Sequence, residues 1–138
     1  ISTHPRTLKM IEQKKVTFNA LVQIIKPLGF SDYIKLQTGA KAVLSDSGTI
    51  SEESSILKLK ALNIREAHER PEAMEEGSVM MVGLKKDRIL QGLSILEQQD
   101  PNSFRLVSDY NVLNVSDKVL RIILSYTDYI NRVVWQKT

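Results

Sequence analysis

Two features of this chain, the Ser47-Gly48-Thr49 turn and Arg70, carry groups suited to binding an anion. Ser47-Gly48-Thr49 follows the apolar residues Val43-Leu44 and precedes Ile50-Ser51-Glu52-Glu53, so it lies where a strand turns into a helix. A glycine there lets the backbone approach a ligand closely, and the first N–H groups of a helix point outward with the positive end of its dipole. A phosphate is the natural guest, with the Ser47 hydroxyl as a further donor. The same turn is also an ordinary Ser/Thr-capped helix start that binds nothing. Arg70, between Glu69 and Pro71-Glu72, could pair with a phosphate or carboxylate, or could form a surface ion pair with Glu69 or Glu72 worth under ~1 kcal/mol. Glu53 could accept hydrogen bonds from the two vicinal hydroxyls of a ribose. Glu52 fits a capping box with Thr49 and is expected to reach back to the helix start. His4 could hydrogen-bond a ligand, whereas His68 has less to recommend it. Neither histidine has metal-ligand spacing with another histidine or a cysteine. No Gly-x-Ser-x-Gly elbow, P-loop or Gly-x-Gly-x-x-Gly is present.

The elements that must position these groups alternate. Pro5 suits the first turn of a helix that carries Leu8 and Ile11. Val22 to Ile25 reads as a buried strand stopped by Lys26-Pro27-Leu28-Gly29. Ser31 is expected to cap a helix that carries Tyr33, Ile34 and Leu36 and ends near Gly39. Ala42-Val43-Leu44 is the next strand, and the helix after Thr49 runs to about Lys58. Ala61 to Ile64 is a strand. Pro71 opens a short helix ended by Gly77, and Val79-Met80-Met81-Val82 is a strand closed by Gly83. Ile89, Leu90, Leu93 and Leu96 repeat at helical spacing. Ser116 is expected to cap a last helix with an apolar stripe of Val119, Ile122, Ile123, Tyr126, Ile130 and Val133. Strands alternating with helices imply an α/β fold with a parallel sheet. We find no repeat or linker that would divide residues 1–138, which read as a single domain.

Composition narrows the functions. The net charge of +3 is modest and the basic residues are interspersed with acids, so nucleic acid is not an expected partner. No apolar run approaches the ~20 residues of a membrane helix, and no membrane partner is expected. The absence of cysteine excludes disulfides and thiolate metal sites and fits a cytoplasmic protein. The chain opens on Ile1-Ser2-Thr3, which reads as a strand end, and we expect it to be a fragment of something longer.

With Ser45-Asp46-Ser47-Gly48-Thr49-Ile50-Ser51-Glu52-Glu53 followed by His68-Glu69-Arg70-Pro71-Glu72, the chain resembles the non-hydrolysing UDP-N-acetylglucosamine 2-epimerases. Their pattern is a (Ser/Thr)-Asp-Ser-Gly-Gly-Ile-x-Glu-Glu run, then a Glu-Arg-Pro-Glu box at the same interval. The resemblance runs from Ser2-Thr3-His4-Pro5 to about Gly83 and weakens beyond it. The wording Asn63-Ile64-Arg65-Glu66-Ala67-His68-Glu69-Arg70-Pro71-Glu72 and Met80-Met81-Val82-Gly83-Leu84 is most similar to the branch that makes UDP-N-acetyl-L-fucosamine, by epimerising C2 of a UDP-2-acetamido-2,6-dideoxy-L-talose precursor for capsule or O-antigen synthesis.

The resemblance implies a Rossmann-like three-layer parallel sheet, the second, UDP-binding half of a GT-B-type two-domain fold. The first, catalytic domain and its acid–base carboxylates would be absent, leaving this fragment inactive. It implies a UDP-amino sugar as ligand, no metal or other cofactor, and a homodimer for the full-length parent. By the same resemblance Ser47 and Gly48 match the diphosphate-binding turn, with Thr49 where the family has a second glycine. Glu53 matches the glutamate on the ribose, Tyr33 an aromatic near the uracil, and Arg70 the box arginine. His4 matches a histidine beside the substrate and is the candidate catalytic residue. A β-branched residue disfavours φ > 0, so Thr49 is where the pattern departs. Two other readings share the architecture: the nucleotide-sugar domain of a GT-B glycosyltransferase, and a UDP-sugar sensor without catalysis.

Overall fold

The computed structural model describes residues 1–137. By its internal contacts the chain divides into two compact units, Ile1–Val43 and a second that begins at Leu44.

In the first unit, α1 (Pro5–Gln13) starts on Pro5, with His4 at the cap. α2 (Phe30–Thr38) is capped by the extended backbone of Gly29 and not by Ser31, and it ends at Gly39 as expected. The strand expected over Val22–Ile25 reduces to one parallel bridge, Ser2 to Ile25, secured by the Ile25 N–H to Ile1 carbonyl bond of 2.9 Å. A short, mostly apolar run does not by itself distinguish a strand from a loop with one pairing.

The second unit is built on a sheet of β1 (Val43–Ser45), β2 (Ala61–Asn63) and β3 (Met80–Met81) in the order β1-β2-β3. β2 and β3 are parallel, with Leu62 beside Met80 and Asn63 beside Met81. The helices between and after the strands are α3 (Ile50–Leu57), α4 (Pro71–Glu75) and α5 (Lys86–Gln98). The alternation of strand and helix expected from the sequence is therefore present. Ile50, Ala61, Leu62, Ala73, Val79, Val82 and Val107 are buried and form the core. Gly92 of α5 is buried against Leu62 and Val82, which lets that helix lie close to β2. Leu90, expected on the apolar face of α5, is exposed. Lys58 ends α3 in the left-handed conformation at φ 56°, and Gly77 and Gly83 take φ of 66° and 68° at the ends of α4 and β3, where a side chain would be strained.

α6 (Val115–Val133) follows Asn114, whose side chain makes no cap bond, so Ser116 lies inside the helix and does not cap it. None of its residues is buried.

Candidate functional site

Two loops leave the carboxyl ends of neighbouring strands. The Ile64 N–H donates to the Ser45 carbonyl at 3.0 Å and the Val82 N–H to the Asn63 carbonyl at 3.0 Å. The segments after β1 (Asp46 to Thr49) and after β2 (Arg65 to Arg70) therefore start side by side. This is the edge at which ligands bind open parallel sheets.

The first loop is held by its own hydroxyls. Ser45 Oγ accepts from the Ser47 N–H at 3.1 Å, Ser47 Oγ accepts from the Thr49 N–H at 3.3 Å, and the Ser47 and Thr49 hydroxyls share a bond of 2.9 Å. The capping box is not formed. Thr49 is already helical at φ −66°, ψ −14°, and its side chain does not cap α3. That negative φ also removes the backbone objection to a threonine where a second glycine was expected, because Thr49 is unstrained there. The N–H groups at the helix start are not free either. Ile50 N–H bonds the Ser47 carbonyl at 3.4 Å and Ser51 N–H the Gly48 carbonyl at 3.2 Å. Both are longer than the ~2.9–3.0 Å of a well-made bond and are weak competitors for a ligand oxygen.

The second loop supplies the charge. Arg70 reaches back across Gly48: a Cβ built on that glycine would stand 3.2 Å from Arg70 Cζ and closer still to Nη1. Gly48 is not among the glycines with positive φ, so it is required there for room and not for backbone freedom. Arg70 Nε stands 3.0 Å from Glu52 Oε1 in an ion pair. Glu52 is thus the arginine's partner and not a helix cap, and the ion pairs expected of Arg70 with Glu69 or Glu72 give way to this one. Glu69 instead takes Arg65 at 2.6 Å; that hydrogen bond, and then the arginine's charge, hold its carboxyl below the usual range. Glu72 accepts from the Tyr110 hydroxyl at 2.7 Å, which likewise lowers its carboxyl. Burial, then the Glu72 carboxylate, push the Tyr110 phenol up. His68 Nδ1 accepts from the Arg70 N–H at 3.1 Å and so shapes the loop. Four polar atoms around this edge are buried without a hydrogen-bond partner: Arg70 Nη1, Glu52 Oε2, His68 Nε2 and Asn63 Oδ1.

The structure therefore gathers Ser47, Gly48, Thr49 and Arg70. Glu53 is half-buried in the first turn of α3. His4 and Tyr33 belong to the first unit: His4 is exposed and its Nδ1 accepts from the Arg6 N–H at 3.2 Å as the cap of α1, and Tyr33 is half-buried in α2. The Glu52–Arg70 pair and Tyr110 were not singled out from sequence, because no local spacing links them. Among the described residues no helix is long and apolar enough to cross a membrane, and no group of three or more His, Asp or Glu side chains could hold a metal ion.

The family model for UDP-N-acetylglucosamine 2-epimerase matches residues 1–124. The chain belongs to that epimerase family. Among relatives, the UDP-N-acetylglucosamine 2-epimerase of Methanocaldococcus jannaschii is 33% identical over 105 residues, 73% of this chain and 29% of that protein. The Escherichia coli K12 epimerase is 36% identical over 87 residues, 63% of this chain and 23% of that protein. Among solved structures, the Rickettsia bellii epimerase superposes with a TM-score of 0.82 at 51% identity, over 99% of this chain and 38% of that one. The M. jannaschii epimerase in complex with UDP-GlcNAc and UDP superposes with a TM-score of 0.79 at 29% identity, over 90% of this chain and 34% of that one. The α/β class and the Rossmann-like half expected from the sequence are borne out by these likenesses. The chain spans under a third of the length of these two curated epimerases.

Proposed function

We propose that this chain is the C-terminal, UDP-binding domain of a UDP-amino-sugar 2-epimerase, with the fucosamine-forming branch as its subgroup. The observation that carries the reading is Arg70 lying across Gly48, which brings the two motif boxes of the family onto one strand edge. In this reading the diphosphate rests on Ser47, Gly48 and Thr49 and takes the buried, unpartnered Nη1 of Arg70. Glu53 takes the ribose hydroxyls, Tyr33 is the residue near the uracil, and His4 lies beside the substrate.

Epimerisation at C2 proceeds by elimination of UDP to a 2-acetamidoglucal-type intermediate, then re-addition to the opposite face. As the C1–O bond breaks, negative charge gathers on the departing diphosphate. A guanidinium and helix-start N–H groups placed there beforehand stabilise that charge without reorganising. The acid–base carboxylates lie on a first domain that this chain does not include, so the chain alone binds UDP without turnover. The parent is a cytoplasmic homodimer that supplies an amino sugar for capsule or O-antigen. The likeness to an epimerase solved with UDP-GlcNAc and UDP supports the ligand class.

Titration calorimetry with UDP tests the reading. Binding that weakens in both Ser47→Ala and Glu53→Ala is expected. No heat at millimolar UDP, or no loss in either variant, refutes the assignment of these residues, and epimerase turnover by the chain alone refutes its inactivity.

A further inference from the structure

We infer that Glu52 is a positioning residue that aims the Arg70 guanidinium at the diphosphate. The inference rests on the UDP-binding reading above and adds to it a residue with no ligand contact of its own.

A guanidinium presents its donors in one rigid plane, so fixing one N–H orients the rest. Glu52 Oε1 stands 3.0 Å from Nε in an ion pair that holds this edge of the plane. With the Nε edge paired to Glu52, Nη1 lies over the Cα of Gly48, where it is buried and has no hydrogen-bond partner. No other carboxylate of the loop competes for Nε: Glu69 is held by Arg65 at 2.6 Å and Glu72 by Tyr110 at 2.7 Å. Glu52 also has a cost, because its charge repels an arriving diphosphate through the same guanidinium. The side chains of both partners keep about a third of their exposure, 32% for Glu52 and 30% for Arg70, so water screens that repulsion. Orientation therefore outweighs it.

The experiment titrates the chain with UDP, uridine and inorganic pyrophosphate. Glu52→Ala is expected to weaken UDP and pyrophosphate about tenfold, the scale of one lost hydrogen bond to a charged group, and to leave uridine unchanged. Glu52→Gln, which retains an acceptor oxygen for Nε without the charge, is expected to bind UDP within about twofold of wild type. In an Arg70→Ala background, Glu52→Ala is expected to add nothing. The inference is overturned if Glu52→Ala binds UDP as wild type does, if uridine weakens in parallel, if both Glu52 variants bind tighter, or if the two losses add. Wild-type protein that binds pyrophosphate but not UDP rejects the nucleotide reading while leaving Glu52 testable on pyrophosphate, and binding of neither rejects both.

Discussion

The guanidinium of Arg70 occupies the space that a side chain at position 48 would need. Glu69 Oε2 closes the same space from another side, 2.9 Å from where that Cβ would be. Gly48→Ala is therefore expected to expel the arginine head from the turn. An arginine head is flexible and sheds such a contact cheaply, so stability should fall by less than about 1 kcal/mol. UDP affinity should fall about tenfold, as expected for one lost charge-assisted bond. A melting curve and a UDP titration on the same sample read the two effects separately, and an unchanged affinity would count against Arg70 as the diphosphate's partner.

Thr49→Gly addresses the other half of the turn. Thr49 has an ordinary helical φ, and glycine adopts it at an entropic penalty of about 0.5–1 kcal/mol. The hydroxyl pair with Ser47 is lost with it. A slightly lower melting temperature is expected, with UDP binding within about twofold of wild type because glycine keeps the backbone of position 49 on which the diphosphate rests. A large loss of binding would show that the threonine hydroxyl itself serves the ligand.

Tyr110 and Glu72 make stability depend on pH at both ends. The folded-state carboxyl of Glu72 lies below its ordinary value of 4.5, because the Tyr110 hydroxyl donates to it. Its contribution is present above the unfolded value and is lost as pH falls through the lowered one. The Tyr110 phenol is pushed above its ordinary 10.0 by burial and by Glu72. Its contribution is full below the unfolded value and is lost as pH rises above it. The melting-temperature gap between wild type and Tyr110→Phe should be level from about pH 6 to pH 9 and shrink on either side. A gap that stays constant down to acid pH would show that the hydrogen bond does not govern Glu72.

Gly92→Ala probes the packing of α5 on β2. The added methyl would lie 3.0 Å from both Leu62 Cδ2 and Val82 Cγ1, and Leu62 is fully buried. Overpacking costs about 1–3 kcal/mol, and the better helix propensity of alanine returns up to about 1 kcal/mol. A net loss near 1 kcal/mol is expected in denaturant unfolding, with UDP binding intact. A stabilised variant would mean that β2 yields easily to the helix.

What could be read from the chain alone was what is local. Pro5, Pro71, Gly77 and Gly83 mark element ends because each has a conformational reason to lie there, and the structure places them there; Gly39 ends α2 as expected, though at an ordinary φ of −88°. The Ser47-Gly48-Thr49 turn was legible for the same reason. The partner of Arg70 was not. Glu69 and Glu72 are its neighbours in sequence, but Glu52 reaches it only because β1 and β2 are neighbours in the sheet, and strand order is not written in any local pattern. The Thr49–Glu52 capping box satisfied every sequence criterion and still failed, since the glutamate gains more from a guanidinium than from a backbone N–H. Val22 to Ile25 failed differently: its largely apolar and β-branched composition favours a strand, but pairing requires a neighbour, and among the described residues only Ser2 bridges to it.

α6 carries a consequence for how the chain comes apart. Its stripe meets water: Val119 is 48% exposed and Ile122 58%. A helix of 19 residues with no buried side chain draws little support from tertiary packing, and helices that rely mostly on their own backbone bonds are marginal in water. In hydrogen–deuterium exchange its amides should therefore lose protection by fraying, independently of the global unfolding that guards Leu62 and Asn63 in β2. The molecule would then melt in two steps, with the last helix dissolving while the sheet and its anion-binding edge stay folded.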